Sequence, residues 1–250
     1  MSLLIDRAER RVTYPQPWVQ PRVRLFCFPY SGAGASIYYN WQEGLPKQID
    51  LFPVQLPGRE NRIKERPYTA ITPLVERVAE EIRPYLDMPF ALFGHSMGAL
   101  LSFELARYLR REMGVIPEHL FASGHAAPQI IHYDRPIHSL PDNQFTSKIK
   151  EMNGTPEDVL SHPELRTLFL PLLRADFTLC EVYEYRDEAA LECPITAMGG
   201  LADPFVSRSD LEAWQRQTRG FFTLRMFPGD HFYLHEQRPL LLRVLAQGLL

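Results

Sequence analysis

Short apolar runs and amphipathic runs alternate along most of the chain. The apolar runs are bounded by glycine, proline or polar residues, as buried strands are, and lie at residues 23–28, 50–56, 90–93, 119–123, 193–199 and 222–227. Apolar residues with helical spacing occur between and after them, at residues 37–45, 71–86, 100–109, 210–217 and 239–249. Strands that alternate with helices predict an α/β fold, with a mostly parallel central sheet and helices on both faces.

The alternation is interrupted between about residues 129 and 186. This stretch has little glycine, and its apolar positions have helical spacing; they include Phe145, Ile149, Met152, Leu165, Leu168, Phe169, Leu172 and Leu173. We therefore predict one domain over residues 1–250, with a helical insertion at 129–186 between core strands. Such an insertion is typical of a lid whose apolar faces line a substrate channel, and additional core packing is the simpler alternative.

The most specific pattern is Gly94-x-Ser96-x-Gly98, which lies between a predicted strand and a predicted helix. In a nucleophile elbow a strand turns sharply into a helix and presents a serine at the turn. Glycine is needed on both sides because a Cβ atom would block the close approach of strand and helix. The flanking apolar runs favour the elbow over a surface turn, so Ser96 is a candidate nucleophile.

The segment Tyr30-Ser31-Gly32-Ala33-Gly34 follows the first predicted strand. A dinucleotide-binding loop would need a third glycine where Ile37 lies, so this interpretation fails. In α/β-hydrolases a turn of small residues here donates one backbone N–H to the oxyanion hole, and the residue after the nucleophile donates the other. Ser31 and Met97 are the candidate donors; a plain glycine-rich turn is the alternative.

A serine nucleophile needs a histidine base and an acidic residue that orients the histidine. In α/β-hydrolases the acid and then the histidine follow the serine, each in a loop after a later strand. Asp203 and His231 fit this order, so we predict a triad of Ser96, Asp203 and His231 that transfers an acyl group to water. The triad alone does not distinguish esters, thioesters and amides.

Other histidines and acidic residues lie near the predicted triad in the sequence. His95 adjoins the serine but is expected to point away from the site, and His125 is expected to line the pocket without reacting. Asp230 is a rival to Asp203, but a residue rarely meets the ring nitrogen of its neighbour in sequence. His231 and His235 are spaced like helical metal ligands, but no third ligand accompanies them. We therefore expect no metal.

Composition argues against several other classes of function. The net charge of -3 gives no electrostatic basis for binding nucleic acid or an anionic membrane. No apolar run approaches the ~20 residues that span a bilayer. The N-terminal residues lack the apolar core of a secretory signal, and the three cysteines show no metal-like spacing. These features predict a cytoplasmic protein without a disulfide framework.

Several segments spread over nearly the whole chain resemble the type II thioesterases. These are stand-alone α/β-hydrolases of polyketide and non-ribosomal peptide assembly lines, related to the medium-chain thioesterase of fatty acid synthesis. The matching segments are Phe28-Pro29-Tyr30-Ser31-Gly32-Ala33-Gly34, Leu56-Pro57-Gly58-Arg59-Glu60-Asn61-Arg62, Phe93-Gly94-His95-Ser96-Met97-Gly98-Ala99, Asn153-Gly154-Thr155-Pro156, Leu173-Arg174-Ala175-Asp176 and Phe227-Pro228-Gly229-Asp230-His231-Phe232. Without the resemblance, the segment at residues 56–62 would be interpreted only as a polar turn. Asp230 departs from the family, which usually has glycine there.

The resemblance implies an acyl substrate held as a thioester on the phosphopantetheine arm of an acyl or peptidyl carrier protein. It implies editing, the removal of stalled or wrongly loaded acyl groups, although some relatives release intermediates instead. No cofactor is implied, since the pantetheine belongs to the substrate, and we expect a monomer. Arg59, Arg62 and Lys64 are candidates to meet the acidic carrier domain.

Two other functions remain open at this point. A general carboxylesterase or lipase would use the same triad but prefer simple oxygen esters. A non-catalytic module that binds a carrier or small ligand would not react with serine-directed phosphonates, and the apparently complete triad argues against it.

Overall fold

The computed structural model describes residues 20–130, 136–152, 154 and 161–250. Within these residues one sheet of six strands has the order β2-β1-β3-β4-β5-β6. The strands are β1 Val23–Phe28, β2 Ile49–Pro53, β3 Phe90–His95, β4 His119–Ser123, β5 Ile195–Gly200 and β6 Phe222–Phe227. Each neighbouring pair in this sheet is parallel, which confirms the predicted sheet.

The helices follow the predicted alternation. In the described parts of the chain the α-helices are α1 Ile71–Ile82, α2 Met97–Tyr108, α3 Asp142–Glu151, α4 Pro163–Glu181, α5 Arg208–Glu212, α6 Tyr233–Glu236 and α7 Arg238–Leu249. The predicted helix at 71–86 ends earlier, at Ile82, and a 3-10 turn over Arg83–Tyr85 follows it. Pro84 explains the change, since proline lacks the N–H that an α-helix would use. A 3-10 helix, Ala35–Gly44, replaces the predicted helix at 37–45.

Buried apolar layers cover both faces of the sheet. Successive strand residues point to opposite faces, so Phe26 packs with α1 and α2 on one side while Leu25 packs with α7 on the other. Burial on both faces explains why the strand sequences are almost continuously apolar instead of alternating.

The insertion between β4 and β5 contains α3 and α4. Phe145 and Ile149 of α3 pack against Leu170 and Leu173 of α4 in a small separate cluster. Leu165 and Leu168 lie in α4 but are 39% and 52% exposed. Residues 131–135, 153 and 155–160 of the predicted insertion lie outside the described residues, as do 1–19. In the part of the chain that is described, no helix has the length and apolar character to cross a bilayer.

Candidate active site

The predicted catalytic residues lie at the carboxyl edge of the sheet. Ser96 directly follows β3, Asp203 lies in the loop after β5, and His231 lies in the loop after β6. Because the strands are parallel, their carboxyl ends share one edge, where loops from separate strands converge. Ser96 and His231 consequently line the same cavity.

Ser96 has the backbone geometry of a nucleophile elbow. Its φ is 52° and its ψ is -119°, a conformation that non-glycine residues rarely adopt. A Cβ atom on Gly94 would lie 1.9 Å from the carbonyl oxygen of Gly98, and one on Gly98 would lie 2.2 Å from that of Phe28. Both glycines are therefore required by backbone contact, as the sequence pattern predicts.

We expect Gly94→Ala to lower the free energy of unfolding by about 3 kcal/mol, because the new methyl group meets rigid backbone. Gly114→Ala is the control, since its Cβ would meet nothing within 4 Å. Its positive φ of 64° should cost only about 1–2 kcal/mol. Urea unfolding followed by circular dichroism measures both values, and equal losses would contradict the elbow explanation.

Asp203 holds the ring of His231 through a partly buried hydrogen bond. His231 Nδ1 lies 2.8 Å from Asp203 Oδ2, and an ionised carboxylate only accepts, so the imidazole donates. The other oxygen, Oδ1, accepts the backbone N–H groups of Phe205 at 2.8 Å and Val206 at 3.2 Å. The Asp203 side chain is 0% exposed, so its orientation is fixed. Nε2 of His231 is thereby left as the basic nitrogen.

The rival acid has a different partner. Asp230 Oδ1 accepts the backbone N–H of Phe232 at 2.8 Å. Its carboxylate therefore caps the short turn after His231, while Asp203 bonds to the imidazole.

Both candidate oxyanion donors lie in the cavity wall. Ser31 belongs to the loop after β1, and Met97 is the first residue of α2, where backbone N–H groups have no partner within the helix. The N–H of the next loop residue, Gly32, is donated to Asp176 Oδ2 at 2.7 Å. The backbone beside Ser31 is thus held in place, and donation to an oxyanion stays a prediction.

A buried ion pair supports this loop. The residue types and their spacing in the sequence do not predict this pair. Arg59 donates to both carboxylate oxygens of Asp176, at 2.8 and 3.0 Å, and the residues are 3% and 2% exposed. Arg59 also donates to the carbonyl of Ala33 at 3.0 Å. The pair therefore ties α4 to the loop after β1. In the sequence, only the family resemblance draws attention to these two residues. The matching segments include both Arg59 and Asp176 but do not show that they form a pair.

The suggested basic contacts to a carrier domain need correction. Arg59 is buried in its pair with Asp176, and Arg62 is only 1% exposed. Arg62 forms ion pairs with Glu65 and Glu81. Neither guanidinium is therefore free to meet a partner, and of the three candidates Lys64 is the exposed one.

Removing one member of the buried pair should be costly. We expect Arg59→Ala to lower the free energy of unfolding by about 3–5 kcal/mol, because it leaves the Asp176 carboxylate buried without its partner. Arg208→Ala, which breaks an exposed pair with Glu212, should cost less than about 1 kcal/mol. Guanidinium unfolding of the two variants gives the comparison; similar losses would show that the buried pair has no special role.

His95 is not among the described residues that line the cavity with Ser96. Its side chain is buried, and its ring centroid lies 5.1 Å from that of His231. Burial lowers the pKa of His95 well below its usual value, so its ring is neutral. His125 lines the cavity as predicted. His235 Nε2 is hydrogen-bonded to the hydroxyl of Tyr30 at 3.0 Å.

The cavity beside Ser96 has a volume of about 670 Å³. The insertion contributes an apolar wall, comprising Ile149, Met152, Leu173, Phe177 and Cys180. Apolar residues of the insertion therefore line a cavity next to Ser96. A site of this size accommodates an organic acyl group.

Known proteins share this sequence and this fold. A family model described as thioesterase domain matches residues 23–247. The gramicidin S biosynthesis protein GrsT of Aneurinibacillus migulanus is 51% identical over 217 residues, which are 87% of this chain and 85% of that protein.

Two solved structures extend the similarity. The thioesterase RedJ, from the prodiginine biosynthetic pathway of Streptomyces coelicolor, superposes with a TM-score of 0.86 and 39% identity, covering 96% of this chain and 98% of that chain. The type II thioesterase BorB, from the borrelidin biosynthetic cluster, has a TM-score of 0.85 and 36% identity, covering 94% and 96%. The chain therefore belongs to the thioesterase family, as a type II thioesterase with an α/β-hydrolase fold, and it is a thioester hydrolase.

Proposed function

We propose that this enzyme removes acyl groups from the phosphopantetheine arms of carrier proteins and so edits a polyketide or non-ribosomal peptide assembly line. The observation that carries the proposal is the cavity of about 670 Å³ that Ser96 and His231 both line. The relatives supply the context, since GrsT is named for gramicidin S biosynthesis and BorB comes from a biosynthetic cluster. A stalled acyl chain needs a space of this kind next to the nucleophile.

The chemistry follows from the three side chains. The Ser96 hydroxyl attacks the thioester carbonyl while His231 Nε2 takes its proton. The C–S bond then breaks, and the imidazolium gives this proton to the departing pantetheine sulfur. Water attacks the acyl-enzyme in the same way, which releases a carboxylic acid and restores the serine. Asp203 holds the imidazole in the required tautomer throughout.

Charge that develops on the carbonyl oxygen needs donors that are already in place. We assign this role to the backbone N–H groups of Ser31 and Met97, each worth about 3–4 kcal/mol in the transition state. The position of Met97 at the start of α2 supports the assignment, since the positive end of the helix dipole favours an anion there.

The remaining features complete the proposal. We assign α3 and α4 to a lid on one single domain, because they supply the apolar wall of the cavity. We propose that the enzyme acts as a monomer. We also propose that it uses no metal or bound cofactor, since the triad supplies the nucleophile and the proton transfers. A cytoplasmic location agrees with three free cysteines, Cys27, Cys180 and Cys193. An acidic carrier domain would meet the exposed Lys64.

Intact mass spectrometry of an acylated carrier protein tests this function. Incubation with the enzyme should remove the acyl group, leaving holo-carrier, and should proceed much faster than hydrolysis of the matching oxygen ester. A series of acyl lengths then defines the pocket. If the carrier stays acylated while simple oxygen esters are cleaved, the enzyme is a general esterase and the editing role is wrong.

A further inference from the structure

Ser123, the last residue of β4, touches both halves of the catalytic machinery. Its carbonyl oxygen accepts the backbone N–H of Ser96 at 2.7 Å. Its hydroxyl lies 2.8 Å from Nδ1 of His95, the residue before the nucleophile. The same hydroxyl lies 2.6 Å from the hydroxyl of Tyr233, two residues after His231. One buried side chain therefore bridges the elbow and the segment that carries the general base.

The hydrogen bonds of this bridge are mutually dependent. A serine hydroxyl has one proton, so Ser123 can donate to only one of its two neighbours and must accept from the other. Ser123 is 0% exposed, and in such low-dielectric surroundings an unpaired polar group is costly. Burial lowers the pKa of His95, so its ring is neutral and places no positive charge beside the imidazole of His231.

Aromatic packing transmits this arrangement to the base. The Tyr233 ring stacks on Phe227 at the end of β6, with centroids 4.8 Å apart. The His95 ring contacts Tyr233 at 5.9 Å and His231 at 5.1 Å. The His231 imidazole thus rests against a ring whose orientation Ser123 fixes.

We propose that Ser123 is a positioning residue that sets the Ser96 hydroxyl against the His231 imidazole. The inference rests on the proposed roles of Ser96 and His231. It goes beyond them because Ser123 touches neither the substrate nor the reacting atoms. Its contribution is geometric, and misplacing reacting groups by ~1 Å costs on the order of 100-fold in rate.

Ser123→Ala should lower kcat by roughly 10- to 100-fold and leave KM within about twofold, because the acyl cavity stays intact. The rate constant for labelling of Ser96 by a serine-directed phosphonate should fall by a similar factor. Tyr233→Phe keeps the ring stacking and the bond between Ser123 and His95, so we expect a smaller loss, of about threefold to tenfold. This second variant carries the test alone if Ser123→Ala does not fold.

Thr196→Val is the matched control. Thr196 Oγ1 lies 2.8 Å from Nε2 of His119. This is a second buried contact between a hydroxyl and a histidine, and it joins β4 to β5 at the end of the strands away from the site. Burial lowers the pKa of His119 to about 4, so both control and test involve a neutral imidazole. Thr196→Val should lower the melting temperature while kcat per folded molecule remains at the wild-type value.

The possible results separate the inference from the function. If kcat per folded molecule is unchanged in Ser123→Ala, or falls equally in Thr196→Val, Ser123 is only structural and the inference is wrong. If the wild-type enzyme leaves acyl-carrier intact, the proposed function fails, and phosphonate labelling still tests the positioning of Ser96. Loss of phosphonate labelling in Ser123→Ala with full labelling in Thr196→Val supports the inference.

Discussion

Ser96→Ala should reduce hydrolysis of an acyl-carrier thioester by at least ~10³-fold, and the remaining rate should come from the binding site alone. Without the hydroxyl no acyl-enzyme forms, so the two-step route is lost and water must attack the thioester directly. Substrate binding should be nearly unchanged, because the elbow backbone and the cavity do not depend on the hydroxyl. Stopped incubations with intact-mass detection measure the rate, and calorimetry with a non-hydrolysable analogue measures binding.

The control for this variant is another serine on the same helix. Ser102 of α2 is buried, and its hydroxyl donates to the carbonyl of Gly98 at 2.7 Å. Ser102→Ala therefore removes a hydroxyl without touching the proposed chemistry, and kcat should stay within about twofold. A loss of less than about tenfold in Ser96→Ala would rule out Ser96 as nucleophile.

The second large effect is expected for Asp203→Asn, with a loss of about 10⁴-fold in kcat. An amide at this position donates to Nδ1 of His231, so the proton moves to Nε2 and the base loses its lone pair towards Ser96. The packing should be almost preserved, because Asn and Asp have nearly the same shape. Steady-state kinetics with an acyl thioester, beside a thermal melt, separates this chemical loss from unfolding.

Asp230→Asn is the matched control, since it changes the neighbouring carboxylate in the same way. The Asp230 carboxylate accepts the backbone N–H of Phe232, so we expect a change of less than about threefold in kcat. A larger loss in Asp230→Asn than in Asp203→Asn would reverse the assignment of the acid.

The stabilising contacts of the site differ in how far the sequence revealed them. Gly94 and Gly98 were readable because the elbow pattern is local and the steric reason lies within one turn of chain. Arg59 and Asp176 were not paired in advance, because two polar residues so distant in sequence give no local sign that they will meet. The two residues, which are 3% and 2% exposed, become buried only when the insertion packs against the loop after β1.

His95 illustrates the same limit within the most specific motif. Its neighbour Ser96 was identified from the pattern, but the direction of the His95 ring depends on Ser123 and Tyr233, which come from other strands and loops. A side chain at an elbow can turn to either side, and only the surrounding packing selects one. The contact between the His95 and His231 rings could not be predicted from the pattern for that reason.

The sequence by itself determined the alternation of strands and helices, the elbow, and the order of Ser96, Asp203 and His231 along the chain. Each depends on periodicity, on the missing Cβ of glycine, or on the rule that parallel strands end at one edge. Only the tertiary structure decided which buried groups meet: the pair of Arg59 with Asp176, and the bridge through Ser123. Such contacts join residues distant in sequence, and their energy depends on a buried environment that exists only after the chain has packed.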